Sequence, residues 1–203
     1  MKNIKNPALQ QGFLLFGYRI IITVKFYTVA DDYIRHLKKT DTNVPDNYSE
    51  NRAYIGIVLQ INGVQYLAPL TSYKAKQDKL KSGLPTIFKL HEDGNVDNKL
   101  GMIQLNNMIP VIDDVISELD VDSQAEPYKS MLQRQIKFIK KNSDKITGRA
   151  QKLYKLVVEN KHDHFSKISS KFGDLEAAKA SYQLPKPQTP SADQLAALTA
   201  RFK

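Results

Sequence analysis

Two apolar runs separated by Asn62-Gly63 are the feature that most constrains the fold of this chain. The runs read YIGIVLQI and VQYLAPL, and each is long enough for one β-strand. Asn-Gly is the pair that best tolerates the positive φ angles of a type I′ turn, which joins antiparallel strands. The sequence therefore predicts a β-hairpin. Because Pro69 cannot donate to a sheet ladder, we expect pairing to fail there and the chain to leave the sheet.

The segments before the hairpin predict a strand and a short helix. Residues 24–29 are assigned to the first strand. In ADDYIRHLKKTD, Asp31 or Asp32 is placed to cap a helix, and lysines near the end complement the helix dipole. Its apolar face consists of Tyr33, Ile34 and Leu37. The next segment, NVPDNYSENR, is rich in Pro, Asn and Asp and predicts an irregular loop.

The region after the hairpin predicts a loop, a strand and another helix. Residues 76–99 are charged and contain Gly83, Pro85 and Gly94, which indicates mostly loop. The segment LGMIQLNNMIPVI predicts a strand that ends near Pro110. Four apolar residues beyond it fit one face of a helix: Ile112, Val115, Ile116 and Leu119.

The last third changes to helical periodicity. Apolar residues recur there at steps of three and four, which predicts two amphipathic helices broken near residues 142–144. These residues are Leu132, Ile136, Ile139, Ile146, Ala150, Leu153, Tyr154 and Val157. The other faces are dense with Lys and Arg, as a solvated helix surface also is. Short strands followed by helices predict an α+β fold, in which helices pack on a small, strongly twisted antiparallel sheet.

The charge of the chain indicates its partners, and its composition excludes several kinds of site. The 203 residues carry a formal net charge of +9. An excess of this size favours a polyanionic partner, with nucleic acid ahead of membrane lipid. No cysteine is present, which excludes disulfides and a cysteine nucleophile. The four histidines show no metal-binding spacing, so we expect neither a metal nor another cofactor.

The apolar segment GFLLFGYRIIITVKFYTV resembles a targeting signal but does not have the properties of one. It is interrupted by Gly17 and Arg19 and falls short of the roughly 20 residues that a membrane span needs. We assign residues 1–23 to an N-terminal extension and expect no stable membrane association. A basic, partly apolar arm that holds the protein on a membrane is the alternative. At the other end, residues 183–203 contain three prolines and predict a flexible tail.

A polar cluster, TSYK, follows the second hairpin strand directly. Thr71, Ser72 and Lys74 bring two hydroxyls and an ammonium to the end of an apolar run. Local sequence alone favours an ordinary capped turn. The same three groups would also suit a phosphate and the negative charge that develops on it during reaction.

Several motifs in order resemble the ToxN/AbiQ family of type III toxin-antitoxin systems. They are the stretch from KFYTVADDYIRHLKK to VQYLAPLTSYKAK, then LNNMIPV, then YKSMLQRQIKFIKKNSDKITGRAQKLYKL. The resemblance covers residues 24–182, which we take as one domain. It implies a MazF/Kid-like, SH3-like β-barrel elaborated by several α-helices, the longest in the C-terminal third. It also implies a cytoplasmic, metal-independent endoribonuclease that cleaves single-stranded cellular or phage RNA, with adenine-rich sites expected.

The resemblance further implies the partners of the protein. Family members are inhibited by a small antitoxin RNA of tandem-repeat pseudoknots, and they defend bacteria against phage by abortive infection. Their complexes close into rings of alternating protein and RNA. A noncatalytic RNA-binding barrel is the main alternative function.

The resemblance assigns five catalytic positions, and the chain departs from the family pattern at one of them and at one neighbouring residue. The positions are Thr71, Ser72, Lys74, Tyr48 and Arg52. The family often has lysine where Arg52 stands, and arginine binds phosphate well but carries protons poorly. Where Tyr73 stands the family commonly has proline; the tyrosine could stack on a base or simply fill that place.

RNA needs no enzyme nucleophile, because its 2′-hydroxyl can attack the adjacent phosphorus. The protein must align the atoms and donate to the extra charge, which Thr71, Ser72 and Lys74 can do. Basic residues nearby and on the helices predict a groove for the antitoxin backbone. They are Lys76, Lys79, Lys81, Lys137, Lys140 and Lys141.

Overall fold

The computed structural model of the chain describes residues 24–45 and 56–184. Seven strands lie in this part of the chain: β1 Tyr27–Val29, β2 Gly56–Ile61, β3 Val64–Thr71, β4 Ile87–Glu92, β5 Asn95–Gln104, β6 Ile109–Pro110 and β7 Ile116–Glu118. Five α-helices accompany them: α1 Asp31–Lys38, α2 Tyr128–Lys141, α3 Ser143–Tyr154, α4 Asp163–Ile168 and α5 Phe172–Ser181. A 3₁₀ helix, Ala75–Lys79, follows β3.

The strands form one antiparallel sheet, which confirms the α+β class. Its order is β4-β5-β3-β2-β1-β7, and β6 pairs with β3 beside this path. Within the described residues the path has two ends, at β4 and β7, so closure into a barrel is not confirmed. Among the described residues the longest α-helix is α2, which begins at Tyr128, shortly before the C-terminal third in which the sequence predicted it, and continues into that third.

The hairpin predicted at Asn62-Gly63 is confirmed. Asn62 and Gly63 have φ angles of 50° and 80°, and β2 and β3 pair from Ile61↔Val64 onward. The expectation that the sheet ends at Pro69 was wrong, because β3 has two edges. Thr71 pairs with Met102 of β5 on the second edge, so the strand continues for two residues past the proline.

The assignment of residues 76–99 to loop was also wrong. β4 and the first half of β5 form a second hairpin there, with Gly94 at a φ of 83° in its turn. Phe88 and Leu90 are buried and alternate with the more exposed Lys89 and His91. This is the period of two expected of a strand, but the charged side chains on the outer face concealed it.

Two helix assignments near the sheet have different outcomes. α1 is confirmed, and its predicted apolar face is buried; the residue preceding the helix is Ala30, whereas Asp31 lies in the first turn. The helix predicted over residues 112–119 was wrong. The chain makes a short 3₁₀ turn and then β7, which pairs with β1. Pairing with β1 at the edge of the sheet decided between helix and strand here.

The C-terminal helices cover the sheet. The predicted break between α2 and α3 is confirmed at Asn142. Both helices pack into the larger apolar core with β2, β4 and β5, while α1 and α5 pack with β1 and β6 in a second core. No helix in residues 24–45 or 56–184 is long and apolar enough to cross a membrane. The predicted N-terminal extension and all but two residues of the predicted tail lie outside the described residues.

Candidate active site

The TSYK segment lies where β3 ends and the 3₁₀ helix begins. Thr71 is the last residue of β3 and is partly exposed, whereas Ser72, Tyr73 and Lys74 are exposed. Lys74 has an extended backbone and precedes the 3₁₀ helix, whose first turn closes when the Gln77 backbone N–H donates to the Lys74 carbonyl at 2.8 Å. The structure therefore presents three predicted site residues in one short exposed segment.

A buried amide holds this segment in place. The Gln77 side chain is 4% exposed, and its Nε2 donates to the Ser72 carbonyl at 2.9 Å and to Thr71 Oγ1 at 3.3 Å. Buried amides form hydrogen bonds because an unsatisfied one is destabilising. Sequence reasoning missed Gln77, and its place among lysines gave no signal that it would be buried.

The three predicted donors are not equivalent. Thr71 Oγ1 accepts from Gln77 and lies 3.5 Å from the Met102 carbonyl, at the outer limit of a hydrogen bond. By contrast, neither Ser72 Oγ nor Lys74 Nζ contacts a partner among the described residues. Within residues 24–45 and 56–184, the Ser72 and Lys74 side chains therefore have no hydrogen-bond or ion-pair partner, while the Thr71 hydroxyl is partly engaged at the end of the strand.

Gly101 allows β3 and β5 to approach closely at this point. Its φ is +126°, and a Cβ placed there would lie 2.0 Å from the Thr71 carbonyl oxygen. Only glycine combines that backbone conformation with that contact. The pairing of β4 with β5 becomes irregular just beyond, between Leu90 and His91. Gly101 thus determines where the backbone of Thr71 and Ser72 can lie, although nothing in the sequence near TSYK indicated it.

Tyr73 belongs to a small polar network. Its hydroxyl donates to Asp78 Oδ2 at 2.7 Å, Lys99 Nζ donates to the same oxygen at 2.8 Å, and Lys99 Nζ lies 5.2 Å from the centre of the Tyr73 ring. The hydrogen bonds from Lys99 and Tyr73 lower the pKa of the Asp78 carboxyl, and the bond to Asp78 raises the pKa of Lys99. Sequence reasoning included Tyr73 but neither of its partners.

The lysines that follow TSYK lie on an exposed surface. Lys76 and Lys79 belong to the 3₁₀ helix, and Lys81 lies in the loop after it. That loop is anchored from α3, because Arg149 Nη1 donates to the carbonyls of Ser82 and Ile87 at 2.7 and 2.9 Å. These two hydrogen bonds hold the segment between Lys81 and the start of β4 against α3.

The predicted lysines of α2 differ in whether an acidic side chain neutralises their charge. Lys137 and Lys140 are exposed and form no ion pair within the described residues, but Lys141 Nζ lies 2.7 Å from Asp93 Oδ1. That bond lowers the pKa of the Asp93 carboxyl, and the charge of Lys137 lowers it further. Asp93 lies in the β4–β5 turn, so α2 contacts the same hairpin that carries Lys99.

The remaining predictions about the site concern residues outside the described ranges and metal ligands. Tyr48 and Arg52 lie outside the described residues. Among residues 24–45 and 56–184, no group of three or more His, Cys, Asp and Glu side chains is arranged to hold a metal ion.

Comparison with known proteins identifies the family of the chain. A family model described as "Toxin ToxN, type III toxin-antitoxin system" matches residues 25–180. Endoribonuclease ToxN of Pectobacterium atrosepticum is 43% identical over an alignment of 159 residues that covers 74% of this chain and 93% of the relative. Endoribonuclease AbiQ of Lactococcus lactis subsp. lactis is 34% identical over 82% of this chain and 94% of its own length.

Solved structures show the same fold. One, described as "A processed non-coding RNA regulates a bacterial antiviral system", has a TM-score of 0.71 and 39% identity and covers 79% of this chain and 99% of its own. A second, of AbiQ, "a lactococcal anti-phage endoribonuclease belonging to the type-III toxin-antitoxin system", has a TM-score of 0.71 and 32% identity, and it covers 78% of this chain and 96% of its own. A third, described as showing "selective toxin inhibition by a non-coding RNA pseudoknot", has a TM-score of 0.69 and 29% identity, and it covers 79% of this chain and 98% of its own.

Proposed function

Because the chain belongs to the ToxN family of type III toxin-antitoxin systems, we propose that it is an endoribonuclease toxin. It cleaves single-stranded RNA, is inhibited by a repeat-pseudoknot antitoxin RNA, and protects a bacterial population against phage from within the cytoplasm. The observation that carries the proposal is the pair of available donors, Ser72 Oγ and Lys74 Nζ, at the end of β3 in the region that the family shares.

The proposed reaction is an internal transesterification. The 2′-oxygen of one nucleotide attacks the adjacent phosphorus and loses its proton, while the bond to the 5′-oxygen breaks and that oxygen gains a proton. The products end in a 2′,3′-cyclic phosphate and a 5′-hydroxyl. Ser72 and Lys74 donate to the phosphoryl oxygens as negative charge grows on them, which is the largest contribution such a site makes.

Thr71 and the loop residues have different proposed roles. Thr71 aligns the strand end, since its hydroxyl already accepts from Gln77. Tyr48 and Arg52 complete the site from the preceding loop, with Arg52 binding phosphate. Because arginine is a poor proton carrier, we assign proton transfer to Lys74 in preference to Arg52.

The barrel is the finer part of the fold proposal. β3 pairs with β2 on one edge and with β6 and then β5 on the other. One strand that changes partners along its length is what a small, strongly curved sheet requires. This pattern supports a barrel-like sheet of the MazF/Kid or SH3 kind, with residues 24–182 as one domain.

The proposed antitoxin groove runs from the lysines after TSYK to α2. Lys76, Lys79 and Lys81 contact RNA phosphates beside the site, and Lys137 and Lys140 do so on the helix. Lys141 contributes less, because Asp93 neutralises it. RNA that contacts two protomers would close the ring-shaped assembly expected of this family.

Charge reversal tests the groove. Lys137→Glu with Lys140→Glu should weaken antitoxin binding and flatten its dependence on salt, because fewer counterions are released. Cleavage of a short RNA should change much less. Lys39→Glu, at an exposed lysine after α1, is the matched control. Equal antitoxin affinity of the variant and the wild type at both low and high salt would refute this part of the proposal.

The alternative function is that of a noncatalytic RNA-binding protein. The departures from the family sequence pattern at Arg52 and Tyr73 are the observation that favours it. Expression without antitoxin separates the two. An enzyme arrests growth and leaves RNA fragments with cyclic phosphate ends, and Ser72→Ala and Lys74→Ala each abolish both effects while retaining antitoxin binding. Lys39→Ala should remain toxic. If either site variant stays fully toxic, the assignment of the site is wrong.

A further inference from the structure

The Tyr73 ring is held on the surface by two residues that the proposed chemistry does not use. Its hydroxyl donates to Asp78, on the 3₁₀ helix, and Lys99, on β5, lies over its ring and donates to the same carboxylate oxygen. The first contact restrains the outer end of the ring, and the second places a positive charge over its face. An ordinary exposed tyrosine has neither restraint.

The restraints decide what Tyr73 can do. Because the hydroxyl is engaged with Asp78, it is not available as a donor to the scissile phosphate. Lys99 lies over one face of the ring, which leaves the opposite face for a ligand, and the residue is still 37% exposed. Within the described residues, no other aromatic ring packs against it. A fixed aromatic face in water is suited to another flat π system.

The neighbours of Tyr73 in the sequence indicate which kind of ligand would stack on its ring. Tyr73 lies between Ser72 and Lys74, whose Cα atoms are each about 3.8 Å from its own. In the proposed site, a phosphate bound by those two residues would bring an attached nucleobase close to the ring. We infer that Asp78 and Lys99 position Tyr73 as a stacking platform for a nucleobase beside the scissile phosphate, an inference that rests on the proposed function.

The charges around the platform support a fixed geometry. The hydrogen bonds from Lys99 and Tyr73 lower the pKa of the Asp78 carboxyl, since both stabilise its ionised form. Purines offer the larger stacking area, so the platform favours a purine without reading its hydrogen-bonding edge. Asp78 and Lys99 are positioning residues in this scheme, and Tyr73 is the residue that touches substrate.

Removal of single bases from a short RNA substrate tests the platform. For the wild type, an abasic nucleotide at one position beside the cleavage site should lower kcat/KM by about 5- to 150-fold, the range expected for one base–aromatic stack. Tyr73→Ala should show little further loss with the same abasic substrate. Tyr73→Phe should keep most of the penalty, and Asp78→Ala should reduce it although the ring remains.

Matched controls separate stacking from charge and from folding. Lys79→Ala removes a neighbouring exposed lysine and should slow cleavage of intact and abasic RNA equally. Thermal unfolding of each variant shows whether it is folded. A purely structural role of Asp78 would change the unfolding temperature but not the ratio of intact to abasic cleavage, and that result would overturn the positioning role.

A binding experiment keeps the inference distinct from the proposed function. A short RNA with a 2′-O-methyl group at the cleavage site cannot react, and 2-aminopurine beside that site reports stacking through loss of fluorescence. The wild type should quench it strongly and Tyr73→Ala weakly. If the wild type cleaves RNA but the abasic nucleotide lowers kcat/KM by the same factor in Tyr73→Ala, the stacking role is wrong while the proposed nuclease function is unaffected. If the wild type binds RNA but never cleaves it, the proposed nuclease function is wrong, and the difference in quenching between the wild type and Tyr73→Ala still tests the stacking role. If the wild type binds no RNA, both proposals are wrong.

Discussion

Replacement of Gly101 by alanine should damage the site, although Gly101 itself is not among the residues proposed to contact substrate. The new Cβ would lie 2.0 Å from the Thr71 carbonyl oxygen and 3.1 Å from the carbonyl carbon. Both atoms are backbone, so no side chain can turn away to make room. The end of β3 and β5 must therefore separate by about 1 Å, which displaces Thr71 and Ser72 together.

Two separate effects determine the magnitude. A non-glycine residue at a φ of +126° is strained by about 1–3 kcal/mol. The overlap adds to this, so we expect the free energy of unfolding to fall by about 3 kcal/mol, which corresponds to a Tm lower by about 6–12 °C. Misplacement of reacting groups by about 1 Å lowers rates about 100-fold, and kcat/KM for a short RNA should fall by that factor.

Two other glycines serve as controls. Gly94→Ala introduces strain at a φ of +83° in the same hairpin, but nothing lies within 4 Å of its Cβ. Gly83→Ala has the same open space without a positive φ. Gly94→Ala should lower Tm and leave cleavage near the wild-type rate, and Gly83→Ala should change neither. Antitoxin binding confirms that each purified variant is folded.

The result that would refute this reasoning is specific. If Gly101→Ala cleaves RNA as fast as Gly94→Ala, the close approach of β5 does not position the Thr71-Ser72 backbone. If it loses cleavage but unfolds at the temperature of the wild type, the predicted overlap is absent and the loss has another cause.

Three further predictions follow from the side-chain contacts. Gln77→Ala removes both hydrogen bonds that hold the end of β3, and kinetic assays should show about 10-fold slower cleavage, as expected for a loss of about 1–1.5 kcal/mol. Tyr66→Phe removes a 2.6 Å hydrogen bond to Glu176; urea unfolding should show a loss of about 1–3 kcal/mol with cleavage unchanged. The lowered pKa of Asp78 means that its contact with Lys99 is present above the ordinary value of 3.8 and is lost only as pH falls through the lowered value; NMR of the Tyr73 ring should show no change between pH 7 and pH 5.

The sequence predicted the parts of the fold that depend on neighbours along the chain. The β2–β3 hairpin was predicted because Asn62-Gly63 encodes its turn locally, and α2 and α3 were predicted because their periodicity extends over several turns. The β4–β5 hairpin was missed because Lys89 and His91 interrupt the apolar pattern. β7 was mistaken for helix because a short β-branched run fits both patterns, and only pairing with β1 decides between them.

The residues of the candidate site were likewise predicted only where they depend on local sequence. Thr71, Ser72 and Lys74 adjoin each other in sequence, so polar residues after a strand were enough to raise the question of a phosphate site. Gly101 and Lys99 reach the site only because β5 pairs with β3 in one register. No local pattern contains that register, because it results from the long-range packing of the sheet.

The most direct measurement is a structure of the protein with a short RNA that carries a 2′-deoxynucleotide at the cleavage position. A phosphate oxygen at that position should lie within about 2.7–3.2 Å of both Ser72 Oγ and Lys74 Nζ. If the RNA backbone instead crosses another surface and both side chains contact only protein or water, the proposed active site is wrong.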